Sequence, residues 1–334
     1  MGIVNDIFNS FRFKDTIFYK SSSDLQDRLN ALTKLNKEYP SNNDVLSELY
    51  IVKKGLEGEK EISYQLQKAN IGMYVLHDVK VKYGDLTAQI DYIVITPIFI
   101  YFIECKNLIG NITVNENGDF IREYTFNGKK IKKGMYSPFR QVEAQREVIR
   151  KIWESKASGL VKLFGSKNFD YYRKVLVVVA NQETILNTSK APKDIKSKVL
   201  RADALVRKIQ YDLSHISSDD SYSSKKNMEL IAQSYANLCI NENIDYYKYY
   251  KDKFCKNNIS DNLKERLVEL RKTRASQMTI PAYYVFTNVE LEKLVELKPS
   301  SIDELKKLNI LSPVKIKTHG EYIINEINKN WNIK

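Results

Sequence analysis

Gln89-Ile90-Asp91-Tyr92-Ile93-Val94-Ile95-Thr96, then Pro97, then Ile98-Phe99-Ile100-Tyr101-Phe102-Ile103-Glu104-Cys105-Lys106-Asn107, is the stretch that decides the fold. Two β-branched and aromatic runs joined by a short, proline-containing connection predict adjacent strands of a hairpin. Asp91 lies inside the first run, and Glu104 and Lys106 close the second. Burying an unpaired carboxylate is costly, so charges within strands this apolar need a partner or a purpose. Two carboxylates and a lysine placed this way point to a metal site with an ammonium beside it. The plainer alternative is three strand-end charges facing water.

Upstream of the hairpin, residues 1–50 are expected to form an N-terminal helical segment, with Ser23-Asp24 at a helix start and Leu29, Leu32 and Leu35 recurring behind it. A second helix is predicted from Asp44 through Leu66, interrupted by Gly55 and Gly58 next to Glu59, and a strand from Tyr74 to Val81. Downstream, the tight-turn signals Asn117-Gly118 and Asn127-Gly128 bracket a short strand, Ile121 to Phe126. Ser137-Pro138 opens a helix from Phe139 to Trp153. Lys174 to Ala180 is a continuous apolar run, the pattern of a strand buried on both faces. These elements predict an α/β core of mixed sheet flanked by helices over residues 51–185. A mainly helical extension and linker (186–260) and a small helical bundle (261–334) follow. In the bundle, helices are predicted at Leu263–Gln277, Asn288–Val295, Ser301–Leu308 and Ile316–Trp331.

With 43% apolar and 28% charged residues, the composition is that of an ordinary soluble globular protein, and no apolar run approaches a membrane span. Three widely spaced cysteines support neither a disulfide framework nor a zinc site, and a reducing cytoplasm fits them. The start of the chain has no secretory pattern. Net charge is +12, and from Arg146 to Gln210 there are 15 Lys and Arg against 6 Asp and Glu, a local balance of +9. Such a surface attracts polyanions.

Mg²⁺ prefers hard oxygen ligands and keeps several waters, so two carboxylates suffice to hold it. Asp91 and Glu104 can meet across the hairpin, and the Cys105 backbone carbonyl is a third candidate oxygen. Glu104 and Lys106 are two apart and share a face, which places an ammonium where it can orient water or offset developing negative charge. Glu59 on the preceding helix and Gln141 on the following one are candidates to complete the site. His77, His215 and His319 share no ligand spacing, and Cys105 is expected to act as a small buried hydrophobe.

Gly58-Glu59, Gln89-Ile90-Asp91, Ile103-Glu104-Cys105-Lys106-Asn107, Gly110 and Pro138 through Gln141 resemble the nuclease-related domain, NERD, of the restriction-endonuclease-like superfamily with a PD-(D/E)xK core. The resemblance implies a Mg²⁺-dependent nuclease, with Mn²⁺ as a substitute. Asp91, Glu104 and Lys106 would be its central set, and Glu59 and Gln141 supporting residues. Tyr92, Ser137 and Gln145 depart from the His, Asn and His often found there, which bears on substrate positioning more than on metal binding. Arg274-Ala275-Ser276, Ile280 through Asn288, Lys298-Pro299 and Lys317-Thr318-His319-Gly320 are similar to an HRDC domain. That similarity implies contact with nucleic acid, with Lys306, Lys315 and Lys317 as candidate contacts, or with a protein partner. The combined expectation is a cytoplasmic DNA endonuclease or nickase. A non-catalytic nucleic-acid-binding adaptor and an RNA-processing nuclease are the alternatives. Defence, mobile-element biology and repair are the settings such an activity would serve.

Overall fold

The hairpin around Pro97 forms the middle of a six-stranded mixed sheet. The computed structural model describes residues 13–126, 128–156, 168–240, 242–255 and 258–328. In chain order the first elements are β1 (Thr16–Lys20), α1 (Asp24–Glu38), α2 (Asn43–Gln67), β2 (Met73–Tyr83), β3 (Leu86–Ile95) and β4 (Ile100–Lys106). After them come β5 (Asn111–Val114), β6 (Phe120–Phe126), β7 (Lys129–Met135), α3 (Pro138–Lys156), α4 (Phe169–Tyr172) and β8 (Arg173–Val179). The series ends with β9 (Leu186–Asn187), α5 (Lys193–Lys196), β10 (Val199–Arg201), α6 (Ala202–Ser214) and α7 (Lys225–Leu238). Strand order is β1-β2-β3-β4-β8-β10, and a smaller sheet has the order β7-β6-β5-β9. The β2, β3 and β4 neighbours are antiparallel, whereas β1 and β2, β4 and β8, and β8 and β10 run parallel. Burial of residues 175–179 of β8 between two parallel partners explains the unbroken apolar run.

Each face of the large sheet has its own core. Phe139, Val142, Ile149 and Ile152 of α3, with Met228 and Ala232 of α7, cover Ile93, Ile95, Phe102 and Val177. Ile62 and Leu66 of α2, with Leu205 and Ile209 of α6, cover Tyr92, Val94, Tyr101, Ile103 and Val178. The side chains of Ser23 and Asn42 accept from backbone N–H groups at the starts of α1 and α2, as N-caps do.

The alternation in β2 and β3 reverses where Asp91 sits. On the α3 face lie Tyr74 and Leu76, then Val79 and Val81; across from them lie Ile95 and Ile93, then Ile90 and Ala88. The parity switch falls at Asp78, which takes a left-handed φ of 54°, and at Asp91 opposite. Register is kept on both sides, His77 facing Tyr92 and Val79 facing Ile90. Lys20 Nζ donates to the His77 and Asp78 carbonyls at 2.8 and 2.6 Å, so the broken ladder leaves those acceptors satisfied.

Three expectations need correction. Residues 1–50 are not helical throughout, because Thr16–Lys20 adds a parallel edge strand to β2, with Ile17 packed on the core. The 186–260 segment, expected to be mainly helical, also carries strands: β9 joins the small sheet, and β10 joins β8. Nor is that segment one linker, since the chain divides into two compact units between Ile244 and Asp245. The Asn117-Gly118 turn is present, with Gly118 at φ 79°, while Asn127 lies outside the described residues. Among the described residues no helix is long and apolar enough to cross a membrane.

The second unit contains α8 (Tyr246–Phe254), α9 (Asn258–Met278), α10 (Ala282–Val285), α11 (Asn288–Leu297), α12 (Ile302–Lys307) and α13 (Pro313–Asn328). Its core is built from Leu267, Val285, Phe286, Leu294, Leu305 and Ile323. Thr287 and Glu290 form a reciprocal capping box at the start of α11. Asn309 holds a left-handed φ of 48° in the turn before α13, a conformation that asparagine tolerates better than most residues. Trp331 lies outside the described residues.

Candidate active site

Asp91 sits where β3 and β4 part. Their paired register runs from Ile95 and Ile100 to Tyr92 and Ile103; beyond it the Asp91 carboxylate takes the place of a backbone acceptor, Oδ2 receiving the Cys105 N–H at 2.7 Å. Glu104 and Lys106 follow on the α3 face, as a two-residue spacing requires. A cleft of about 260 Å³ opens there, lined by Glu59, Gln89, Asp91, Glu104, Cys105, Lys106, Asn107 and Gln141, with Leu25, Arg28 and Gly55. All five side chains expected to serve a site therefore reach one cavity.

Polar contacts fix each of them. Lys106 Nζ donates to Glu104 Oε1 at 2.5 Å and to Gln141 Oε1 at 3.2 Å. The other carboxylate oxygen, Glu104 Oε2, accepts from Gln145 Nε2 at 2.9 Å, and the same amide donates to the Gln89 carbonyl at 2.7 Å. Gln145 departs from the family pattern, and it is buried directly against an acidic group of the cleft. It therefore orients Glu104 directly. Replacing it by leucine is expected to lower any metal-dependent cleavage by about 10–100-fold, the usual effect of removing a group that orients a ligand. Metal titration and initial rates on one variant check this.

Glu59 is buried on α2 and turned toward α1 and β2. Its Oε2 accepts from Ser23 Oγ at 3.1 Å and lies 2.9 Å from His77 Nε2, which does not point along a good hydrogen-bond direction. His77 stacks on Tyr92 with ring centroids 4.5 Å apart, and the Tyr92 hydroxyl donates to the Glu59 carbonyl at 2.7 Å. His77 therefore packs beside a site residue.

The helix comes this close to β4 because position 58 is glycine. A Cβ there would lie 2.6 Å from Asn107 Cβ and 3.2 Å from Cys105 Sγ, while Asn107 Nδ2 donates to the Lys54 carbonyl at 2.6 Å. Gly58→Ala is expected to cost roughly 1–3 kcal/mol, the range for overpacking. Denaturant unfolding checks it, and a wild-type midpoint would contradict the close approach.

The electrostatics single out Asp91. Burial pushes its carboxyl well above the usual carboxylate range, and the charge of Glu104 raises it further; the Cys105 N–H and the Lys106 ammonium act in the opposite sense. Burial likewise raises the Cys105 thiol, whose side chain packs on the core on the α2 side of the sheet. A buried carboxyl pushed up by burial and a neighbouring carboxylate marks a place where a cation would be favourable. Among the described residues no three His, Cys, Asp or Glu side chains gather as a metal-holding group.

A split pair of strands bearing Asp, Glu-x-Lys and a supporting Glu is the geometry against which family comparison is informative. The nuclease-related domain (NERD) matches residues 54–179, and the HRDC domain matches residues 260–327. The chain carries a nuclease-related domain followed by an HRDC domain. Comparison with curated proteins and with solved structures returned no match. The NERD match runs from within α2 to the end of β8, so β1, α1, β10 and α6 lie outside it. One of these reaches the cleft: α1 contributes Leu25 and Arg28, with Ser23 at its cap. Arg28 does not stand out in the sequence, and Ser23 does so only as a helix start, because the approach of each to the cleft depends on α1 folding back on α2.

In the HRDC domain a cavity of about 460 Å³ is lined by Lys306 and Lys317 together with Ile302, Asn309, Leu311 and Glu321. Lys315 is placed elsewhere: its Nζ pairs with Glu290 at 2.7 Å and donates to the Tyr283 carbonyl at 3.2 Å. His319 is buried, and burial together with Arg274 and Lys315 lowers its pKa.

Proposed function

We propose that the chain is a divalent-metal-dependent nuclease that hydrolyses phosphodiester bonds of DNA by attack of water, cutting internally as an endonuclease or nickase. The observation that most supports this is the convergence of the Asp91 and Glu104 carboxylates and the Lys106 ammonium in one cleft. Asp91, Glu104 and the Cys105 carbonyl offer hard oxygens suited to Mg²⁺, for which Mn²⁺ is the expected substitute. When bound, such an ion supplies charge against the phosphate and lowers the pKa of a water.

The remaining work belongs to the chain. Lys106 donates toward the oxygen on which negative charge grows, or holds the attacking water, and Gln141 fixes its ammonium. Gln145 holds Glu104 in orientation. Arg28 also lines the cleft, its guanidinium paired with Glu48 at 3.2 Å. Glu59, buttressed by Ser23, limits how far the acidic wall can move. The HRDC domain contributes a separate nucleic-acid contact through Lys306 and Lys317, or docks a protein partner instead.

Supercoiled plasmid, linear duplex, single-stranded DNA and structured RNA incubated in parallel with Mg²⁺, Mn²⁺ or EDTA test the substrate class. Metal-dependent nicking of DNA, with RNA intact, is expected. Preferential RNA cleavage would assign the chain to RNA processing. Salt-sensitive binding with no product under any metal would leave a binding protein on a nuclease fold.

A further inference from the structure

The β6–β7 hairpin carries charge that the cleft does not use. Between Phe120 and Met135 the described residues include Arg122, Lys129, Lys130, Lys132 and Lys133, against one acid, Glu123. Cross-strand register assigns the faces: Arg122 is opposite Lys133, Tyr124 opposite Ile131, and Phe126 opposite Lys129. At its base this same face packs Phe120 and Met135 into the core; farther out it leaves the body of the domain. Lys132 lies on the reverse face and is paired with Glu123 at 2.7 Å.

Two like charges directly opposite each other on one face destabilise a ladder. Arg122 and Lys133 are such a pair, and both lie against the Tyr124 ring, at 4.5 and 5.6 Å from its centroid. Lysines alone on an edge strand are a common guard against sheet-to-sheet aggregation. That guard needs neither a facing arginine nor the two aromatic rings left in water nearby: Phe126 is 61% exposed and Tyr136, just beyond β7, 73%. Cations interleaved with exposed rings suit a polyanion with stackable faces.

The hairpin is also tied to the cleft. Arg122 Nε donates to the Ile109 carbonyl at 2.7 Å, three residues after Lys106. Gly110 presses against β6 so closely that a Cβ would lie 2.3 Å from the Glu123 carbonyl oxygen. At the other end, β7 runs through Tyr136 into α3, which bears Gln141 and Gln145. Both ends of the hairpin therefore connect within a few residues to segments that line the cleft or hold its acidic groups.

We infer that the face of the β6–β7 hairpin formed by Arg122, Tyr124, Phe126, Lys129 and Lys133 is a nucleic-acid-binding wing. It grips the strand presented to the cleft through its phosphates and stacks a base on an exposed ring. This rests on the nuclease reading but concerns where substrate is held, not whether it is cut. The test is anisotropy of a fluorescein-labelled DNA duplex with a single-stranded overhang, titrated in EDTA with the full-length chain over a range of NaCl. Wild type is compared with Lys129→Glu/Lys133→Glu and with Lys133→Thr.

The double variant is expected to bind at least 10-fold more weakly, and its log K against log salt slope to be shallower by about 1.4–1.8, roughly 0.7–0.9 per lost phosphate contact. Lys133→Thr is expected to weaken binding several-fold with an unfolding midpoint equal to or above wild type, because it relieves the repulsion from Arg122. A merely structural lysine would lower both. Wild-type affinity and slope in the double variant, or a Lys133→Thr protein that melts earlier and binds normally, overturns the wing. Lys106→Ala, titrated in the same way and assayed separately for cleavage in Mg²⁺, keeps the two readings apart: normal binding with no cleavage supports the wing independently of the catalytic site.

Discussion

Lys106→Ala is expected to slow metal-dependent cleavage by about 10²–10³-fold, the usual loss when a charge aimed at a developing anion is removed. It should do so without weakening metal binding. The ammonium lies 2.5 Å from Glu104 Oε1, where it competes with a cation for the same carboxylate. Removing it frees that oxygen, so Mn²⁺ affinity should be unchanged or tighter. Single-turnover rates paired with Mn²⁺ titration separate the two effects. A variant that loses rate and metal affinity together would mean that Lys106 holds the carboxylates in place instead of assisting chemistry.

Asp91→Asn is expected to abolish cleavage and stabilise the protein. Burial and the neighbouring Glu104 raise the Asp91 carboxyl well above its unfolded value. The sign follows from linkage: a group with a raised folded-state pKa favours folding fully only below the unfolded value, near 3.9, and that contribution is lost as pH climbs through the raised value. The excess stability of Asp91→Asn over wild type should therefore grow as pH rises from about 4 toward neutrality in EDTA. Each kcal/mol relieved corresponds to roughly 2–4 °C in midpoint for a domain of this size. The amide oxygen can still accept the Cys105 N–H, so no hydrogen bond need be lost. Mg²⁺ should stabilise wild type and not the variant, closing the gap. A variant less stable than wild type throughout would contradict the electrostatic account of the cleft.

The legible parts of this molecule were those whose chemistry shows in one dimension. Asp91, Glu104 and Lys106 are conspicuous because apolar strands surround them, and β8 because no polar residue interrupts it. Glu59 and Gln141 are candidates from their places on the flanking helices as well as from the likeness to NERD, and the structure brings both to the cleft. What stayed hidden depends on tertiary approach. The five-residue β1 is too short to show a period, and β10 has three residues, so each is a strand only because a neighbour's edge is open. Gln145 is a neutral side chain on an amphipathic helix, and only the fold aims it at Glu104. The parity switch at Asp78 and Asp91 reverses inside and outside partway along two strands, which a fixed period of two cannot express. Lys315, attractive as a basic residue near a turn, is held by Glu290 through a contact that spans 25 residues.

The central claim is that this cleft cuts phosphodiester bonds and that Asp91 is required. The most direct measurement is nicking of supercoiled plasmid in Mg²⁺ or Mn²⁺ by wild type and by Asp91→Ala, purified identically and shown to be folded. The predicted result is open-circular or linear product from wild type, suppressed by EDTA, and supercoiled substrate left intact by Asp91→Ala. Equal cleavage by the two proteins would place the activity elsewhere and contradict the account.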